Sequence, residues 1–163
     1  MTYLVNSQII KNIVNLVDNT FTPVQVGTTT ITYPGTLVDY TPEPSSSYVV
    51  FECHTQIAWT PDQSRSYAES SFQYSTDGGS SWQDFSNCQL FEGQNSQVYP
   101  DLFWWTQAYT FVVDSWSGQR KLRIAIRAQN ASSEFTIGRS YNTYPTAGEG
   151  TGSMTQVSVY SVM

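Results

Sequence analysis

Apolar and polar residues alternate in short runs along this chain, and the runs are broken by Gly, Pro, Asn and Ser. A period of two matches a pleated strand with one buried face and does not match a helix. The cleanest case is Leu122, Ile124, Ile126 and Ala128. Two short strands are expected over residues 28–33 and 36–40, parted by the turn dipeptide Pro34-Gly35. Pro42, Pro44 and the serines at 45–47 make a loop. A long strand follows over residues 48–59. It sets Val49, Phe51, Cys53, Ile57 and Trp59 on one face, with Glu52 and His54 on the other.

The spacing continues in the second half. Residues 66–74 and 82–90 flank Asp77-Gly78-Gly79, a strong hairpin signal. Residues 98–114 are dense in aromatics, and residues 115–119 turn the chain. Residues 135–141 and 155–162 read as strands on either side of a Gly-rich loop at 145–153. About eight to ten strands spaced by roughly 8–12 residues predict an all-β protein, an antiparallel β-sandwich or jelly roll. The domain is expected over residues 28–163. Residues 1–27 read as a short N-terminal arm or anchoring segment. There Ile9, Ile10, Ile13, Val14 and Val17 recur at helical spacing behind a possible Ser7 cap, but their β-branching weakens a helix. An extended arm laid on a neighbouring subunit fits as well as a strand or helix packed on its own core.

Composition narrows the function classes. Charged residues make up 12% of the chain, the formal charge is −6, and there is a single histidine, His54. Nucleic-acid binding is not expected, because phosphate neutralisation needs clustered Lys and Arg. No apolar run is long enough to span a membrane, and residues 1–20 do not read as a signal peptide. Cys53 and Cys88 are expected as free buried thiols, although a disulfide stays open. One sequon, Asn130-Ala131-Ser132, carries little weight without a secretory signal. A lone histidine with no nucleophile elbow, no zinc spacing and no phosphate-binding glycine motif predicts no catalytic residue, metal or cofactor.

Three groups of residues are candidates for a role. Residues 75–82 resemble an Asp box, with Ser81 replacing the usual Thr. Asp77, Gly78, Gly79 and Trp82 are expected to form a structural hairpin, without glycosidase meaning in a single copy. Lys121, Arg123 and Arg127 project opposite the apolar side of their strand, as a solvated face or a charged interface. Trp104 and Trp105 are adjacent and point to opposite faces. With Tyr109 they are expected to cover an interface, ahead of a stacking platform for sugars. Ile9, Ile13 and Val17 are the matching apolar positions of the arm.

The layout resembles the small virion proteins of tailed phages, cyanophage-like, whose jelly roll is of the C1q/TNF type. The resemblance rests on several segments. They are the Pro-Gly turn leading to Val38-Asp39-Tyr40-Thr41-Pro42, the strand Tyr48-Val49-Val50-Phe51-Glu52, the Ser-Thr-Asp-Gly-Gly hairpin, the run from Arg120 to Ala128, and the closing Gln156-Val157-Ser158-Val159-Tyr160. It implies a non-enzymatic virion structural protein, assembled in the host cytoplasm as a homotrimer. A capsid decoration (cement) protein bound to the major capsid protein or other virion proteins suits a short arm plus one domain. A short tail-fibre or receptor-binding tip, or a carbohydrate-binding module contacting host-surface glycans, is the alternative. A small polysaccharide-degrading enzyme is the remote one.

Overall fold

The computed structural model describes residues 9–18, 24–61, 65–95, 103–129, 135–137 and 155–163, and every secondary-structure element among them is a strand. In chain order the strands are β1 (Ile10–Asp18), β2 (Val24–Val26), β3 (Ile31–Thr32), β4 (Val38–Tyr40), β5 (Tyr48–Pro61) and β6 (Arg65–Ser75). They continue with β7 (Gln83–Asn95), β8 (Phe103–Asp114), β9 (Arg120–Ala128), β10 (Phe135–Ile137) and β11 (Thr155–Val162). All the strand pairs are antiparallel, and they form two sheets. The protein is an all-β sandwich.

The first sheet is built on β5. β8 pairs with it from Tyr48↔Asp114 to Trp59↔Phe103. β11 and β10 follow one another along β5, meeting residues 48–55 and 60–61. β1 and β2 flank β11 and β10 in turn. The second sheet runs β7-β6-β9, with β3 and β4 both pairing with β9. The chain passes back and forth between the sheets, so most neighbours in space are distant in sequence.

The core lies between the sheets and follows the two-residue period. Val49, Phe51 and Cys53 of β5 are buried, as are Leu122, Ile124, Ile126 and Ala128 of β9 and Val157 and Val159 of β11. Ile57 and Trp59, expected on the same face, fall outside the described side chains. Phe72 is the centre of the aromatic packing. Its ring lies 4.6 Å from Phe51, 4.7 Å from Phe85 and 4.9 Å from Phe111. Tyrosines then tie the two sheets by hydroxyl bonds across the core. Tyr33 reaches Thr55 at 2.9 Å, and Tyr40 reaches Ser161 at 2.7 Å. Both tyrosine hydroxyls are thereby paired, which avoids the cost of desolvating them alone.

The two short strands expected at 28–33 and 36–40 shrink to two and three residues. The cause is the turn between them. Pro34 and Gly35, with φ +77° at Gly35, lift the chain off β9, as Pro-Gly does at the centre of a type II turn. Thr36, fully buried, fills the gap in the ladder. Its hydroxyl donates to the Tyr33 carbonyl at 2.7 Å and accepts the Ile124 N–H at 3.1 Å. Thr36→Val removes that acceptor and leaves a buried N–H unpaired. It should cost about 1–3 kcal/mol of unfolding free energy, measured by urea titration.

The N-terminal segment is a strand and not a helix. β1 pairs with β11 of its own chain from Ile10↔Val162 to Asp18↔Thr155. Branched Ile and Val favour the pleated form. A bulge between Lys11 and Val14, with Asn12 at φ 51°, interrupts the alternation. Val14 and Leu16 pack on the core, while Ile13 and Val17 face outward. Of the strand expected at 135–141, residues 135–137 are seen. Residues 138–141, the loop at 145–153 and the sequon at 130–132 lie outside the described residues.

Cys53 is a free, buried thiol. Burial pushes its pKa up to about 12, so almost none is thiolate at neutral pH. In a Cys88→Ser background, a thiol-reactive dye should label Cys53 only after unfolding.

Candidate functional site

The expected hairpin is held by its own side chains. Ser75 donates its hydroxyl to Asp77 Oδ1 at 2.6 Å and accepts the Gly79 N–H at 2.8 Å. Asp77 in turn accepts from the Ser81 N–H at 2.9 Å and the Ser81 hydroxyl at 2.6 Å. Gly78 and Gly79 supply the positive φ. Asp77 is bound entirely within its own turn, which is a structural arrangement. The Ser75 hydroxyl first, then the Ser81 hydroxyl and amide, hold its carboxyl far below the usual carboxylate range. A lowered folded-state pKa gives stability that is present above about pH 4 and is lost as pH falls further. Asp77→Asn should therefore destabilise at pH 7, and the gap from wild type should narrow in acid. Urea midpoints at pH 7 and at about pH 2.5 check this.

The basic stripe lies on the outer face of the second sheet, opposite Leu122, Ile124 and Ile126. Its charges meet partners within that sheet. Lys121 faces Asp39 at 3.4 Å, and Arg127 donates to Glu69 at 2.7 Å. Arg123 donates to Gln73 and Thr32, each at 2.9 Å, and lies over the Trp82 ring at 3.9 Å. The stripe is thus a cross-strand network, with each cation engaged by its own chain.

The outer face of the first sheet differs. Ile13, Val17, Tyr48 and Val112 stand there between 48% and 60% exposed, and Ile9 and Ile10 at its margin are 50% exposed. Val50, Glu52, Thr110, Asp114, Ser158 and Tyr160 lie among them by register. His54 is also on this face, exposed, opposite Ala108 and Gln156. Ile13 and Val17 are therefore on the other side of the sandwich from Lys121, Arg123 and Arg127.

Tyr109 needs correction as an interface residue. It is 3% exposed, pairs with Cys53 and packs against Phe111 with ring centroids 6.1 Å apart. Its odd number places it on the core side of β8, with Phe111 and Val113. Trp104 and Trp105 pair with Ala58 and Ile57, and their side chains fall outside the described part of the structure.

A groove that the sequence did not single out opens where β6, β7 and β8 meet the turn into β9. It has a volume of about 440 Å³, and its lining includes Tyr74, Asp84, Val112, Asp114, Trp116 and Arg120. The turn is pinned by the Ser115 N–H to the Ser47 carbonyl at 3.0 Å and by a Ser46–Ser115 hydroxyl pair at 2.8 Å. Trp116 packs edge-on to Tyr40 at 6.2 Å and against Phe85 at 5.9 Å. The Arg120 guanidinium carbon sits 4.3 Å from the Tyr74 ring centre and 4.8 Å from that of Trp116. One signal in the sequence pointed here. Arg120 has the same parity as Leu122 and Ile124, so a cation stands on the core side of an otherwise apolar strand.

Among the described residues, no three His, Cys, Asp or Glu side chains converge as a metal set. No protein-family model matches the chain, and no curated protein matches it.

Proposed function

We propose that this chain is a non-enzymatic structural protein of a virus particle, a capsid decoration protein that works as a homotrimer. The observation that carries this is the contrast between its two outer faces. The second sheet turns a network of paired charges to solvent. The first turns out Ile13, Val17, Tyr48 and Val112, with Glu52 and Asp114 as the charged residues set among them. Exposed apolar groups gathered on one face suit a contact between copies, since a closed ring hides them from water. The repeated crossing of the chain between the sheets, from β4 to β5 to β6 and from β7 through β8 and β9 to β10, supports a jelly-roll reading. The partner beyond the trimer is the major capsid protein or another virion protein.

Light scattering coupled to size exclusion tests the assembly. A mass three times the 18.3 kDa chain is expected, and Val17→Asp together with Tyr48→Ser should reduce it to one. A wild-type monomer at about 100 μM removes the trimer, since an obligate interface of ~2,000 Å² or more would hold at that concentration. Antibodies against the chain should label the shell of intact particles, and unlabelled particles would remove the virion reading.

A further inference from the structure

Arg120 is the exception in its strand. The residues of β9 that share its parity are buried and apolar. Its guanidinium is held between the Tyr74 and Trp116 rings, which attract its charge but accept few of its five N–H groups. No carboxylate, carbonyl or hydroxyl among the described residues takes any of them in a hydrogen bond or ion pair. The cation is thus positioned by packing, with its donors unused.

Acceptors line the same groove. The Asp114 side chain is exposed and has no hydrogen-bond partner or ion pair among the described residues. Asp84 also lines the groove, but its carboxylate is shared with the outer-face network, Oδ1 accepting from Gln73 at 2.9 Å beside Arg123. Val112, 60% exposed, and Phe85 add apolar surface. A volume of about 440 Å³ lies within the roughly 300–1,000 Å³ of small-molecule sites.

We propose that this groove binds a neutral saccharide. Adjacent ring hydroxyls both donate and accept. A carboxylate can take two of them, and a guanidinium fork can serve two more. The C–H face of the ring suits Val112 and Phe85. An anion fits less well, because Asp114 shares the lining with Arg120, the one cation there, and the chain carries a net charge of −6. This site does not rest on the trimer. Arg120 and Asp84 belong to the second sheet, away from Ile13 and Val17 of β1, while Val112 and Asp114, the latter opposite Tyr48, border both surfaces.

The test uses the ¹⁵N-labelled full chain and the methyl glycosides of glucose, galactose, mannose and N-acetylglucosamine, each titrated to about 50 mM. The Trp116 indole N–H and Arg120 side-chain N–H resonances are the reporters, assigned with W116F and R120K. At least one glycoside should shift both saturably, with a Kd below about 10 mM. Arg120→Lys should weaken binding at least about tenfold, and Asp114→Asn, at an exposed site without contacts, at least about fivefold. The proposal is overturned if none of the four gives a saturable shift, or if neither substitution weakens it. A response to methyl glucuronide alone would also overturn it, since that is the behaviour of an anion site.

Discussion

Phe72→Ala should lower the unfolding free energy by about 3–5 kcal/mol, the largest loss expected from any single truncation in this protein. Phe72 is fully buried and touches rings from three strands, Phe51 of β5, Phe85 of β7 and Phe111 of β8. It therefore joins the two sheets as well as filling its own sheet. Truncation removes the transfer free energy of the ring and leaves a cavity that its rigid neighbours cannot close. For a domain of this size the midpoint should fall by roughly 6–20 °C, read by circular dichroism at fixed scan rate. Thr29→Ala is the control. Thr29 is exposed and belongs to neither proposed surface, and its truncation should change stability by less than about 0.5 kcal/mol.

Gly35→Ala should be nearly as damaging, for a different reason. Gly35 sits at φ +77°, where an L side chain alone costs about 1–2 kcal/mol. A Cβ built there would lie 2.8 Å from Thr155 Cβ and 3.0 Å from Asp18 Cβ. Both of those atoms are fixed to their backbones, so neither can swing aside. Relief must come from moving the turn away from the place where β1 ends and β11 begins. Gly78→Ala separates the two costs. It has φ +74°, but a Cβ there would meet nothing within 4 Å. The excess of the Gly35 loss over the Gly78 loss, measured by urea unfolding, reports the close approach alone. Equal losses would show that the turn shifts freely. Faster amide exchange in β1 and β11 should accompany Gly35→Ala only.

Much of the local structure was legible because the strand period is read directly from the residues. Leu122, Ile124, Ile126 and Ala128 share a face in the sequence and share the core in the fold. The hairpin at Asp77-Gly78-Gly79 was equally plain, since its turn chemistry is local. Long-range pairing was not legible. Nothing in residues 10–18 says that they lie against residues 155–162, so a segment that reads as an arm is an edge strand. The Thr36 hydroxyl was invisible for the same reason. Its acceptor role depends on Ile124, far along the chain, and it breaks what reads as two ordinary strands. Tyr109 shows a parity that was available and unused. Its register with Phe111 already placed it inside. The groove shows a misfit that was available and unused, a cation at Arg120 on the apolar side of β9.

The pairing of β1 with β11 has a mechanical consequence. Ile10 lies opposite Val162, and the Met163 N–H bonds the Ile9 carbonyl at 3.2 Å, so both ends of the described chain leave from one corner. A tension applied between residues 9 and 163 pulls along the direction of the cross-strand bonds and meets them one after another. The ladder then opens like a zip at low force, where a pull on opposite ends would load all of its bonds in shear together. Tethers attached at residue 9 and residue 163 should peel β1 away while the Phe72 core still holds.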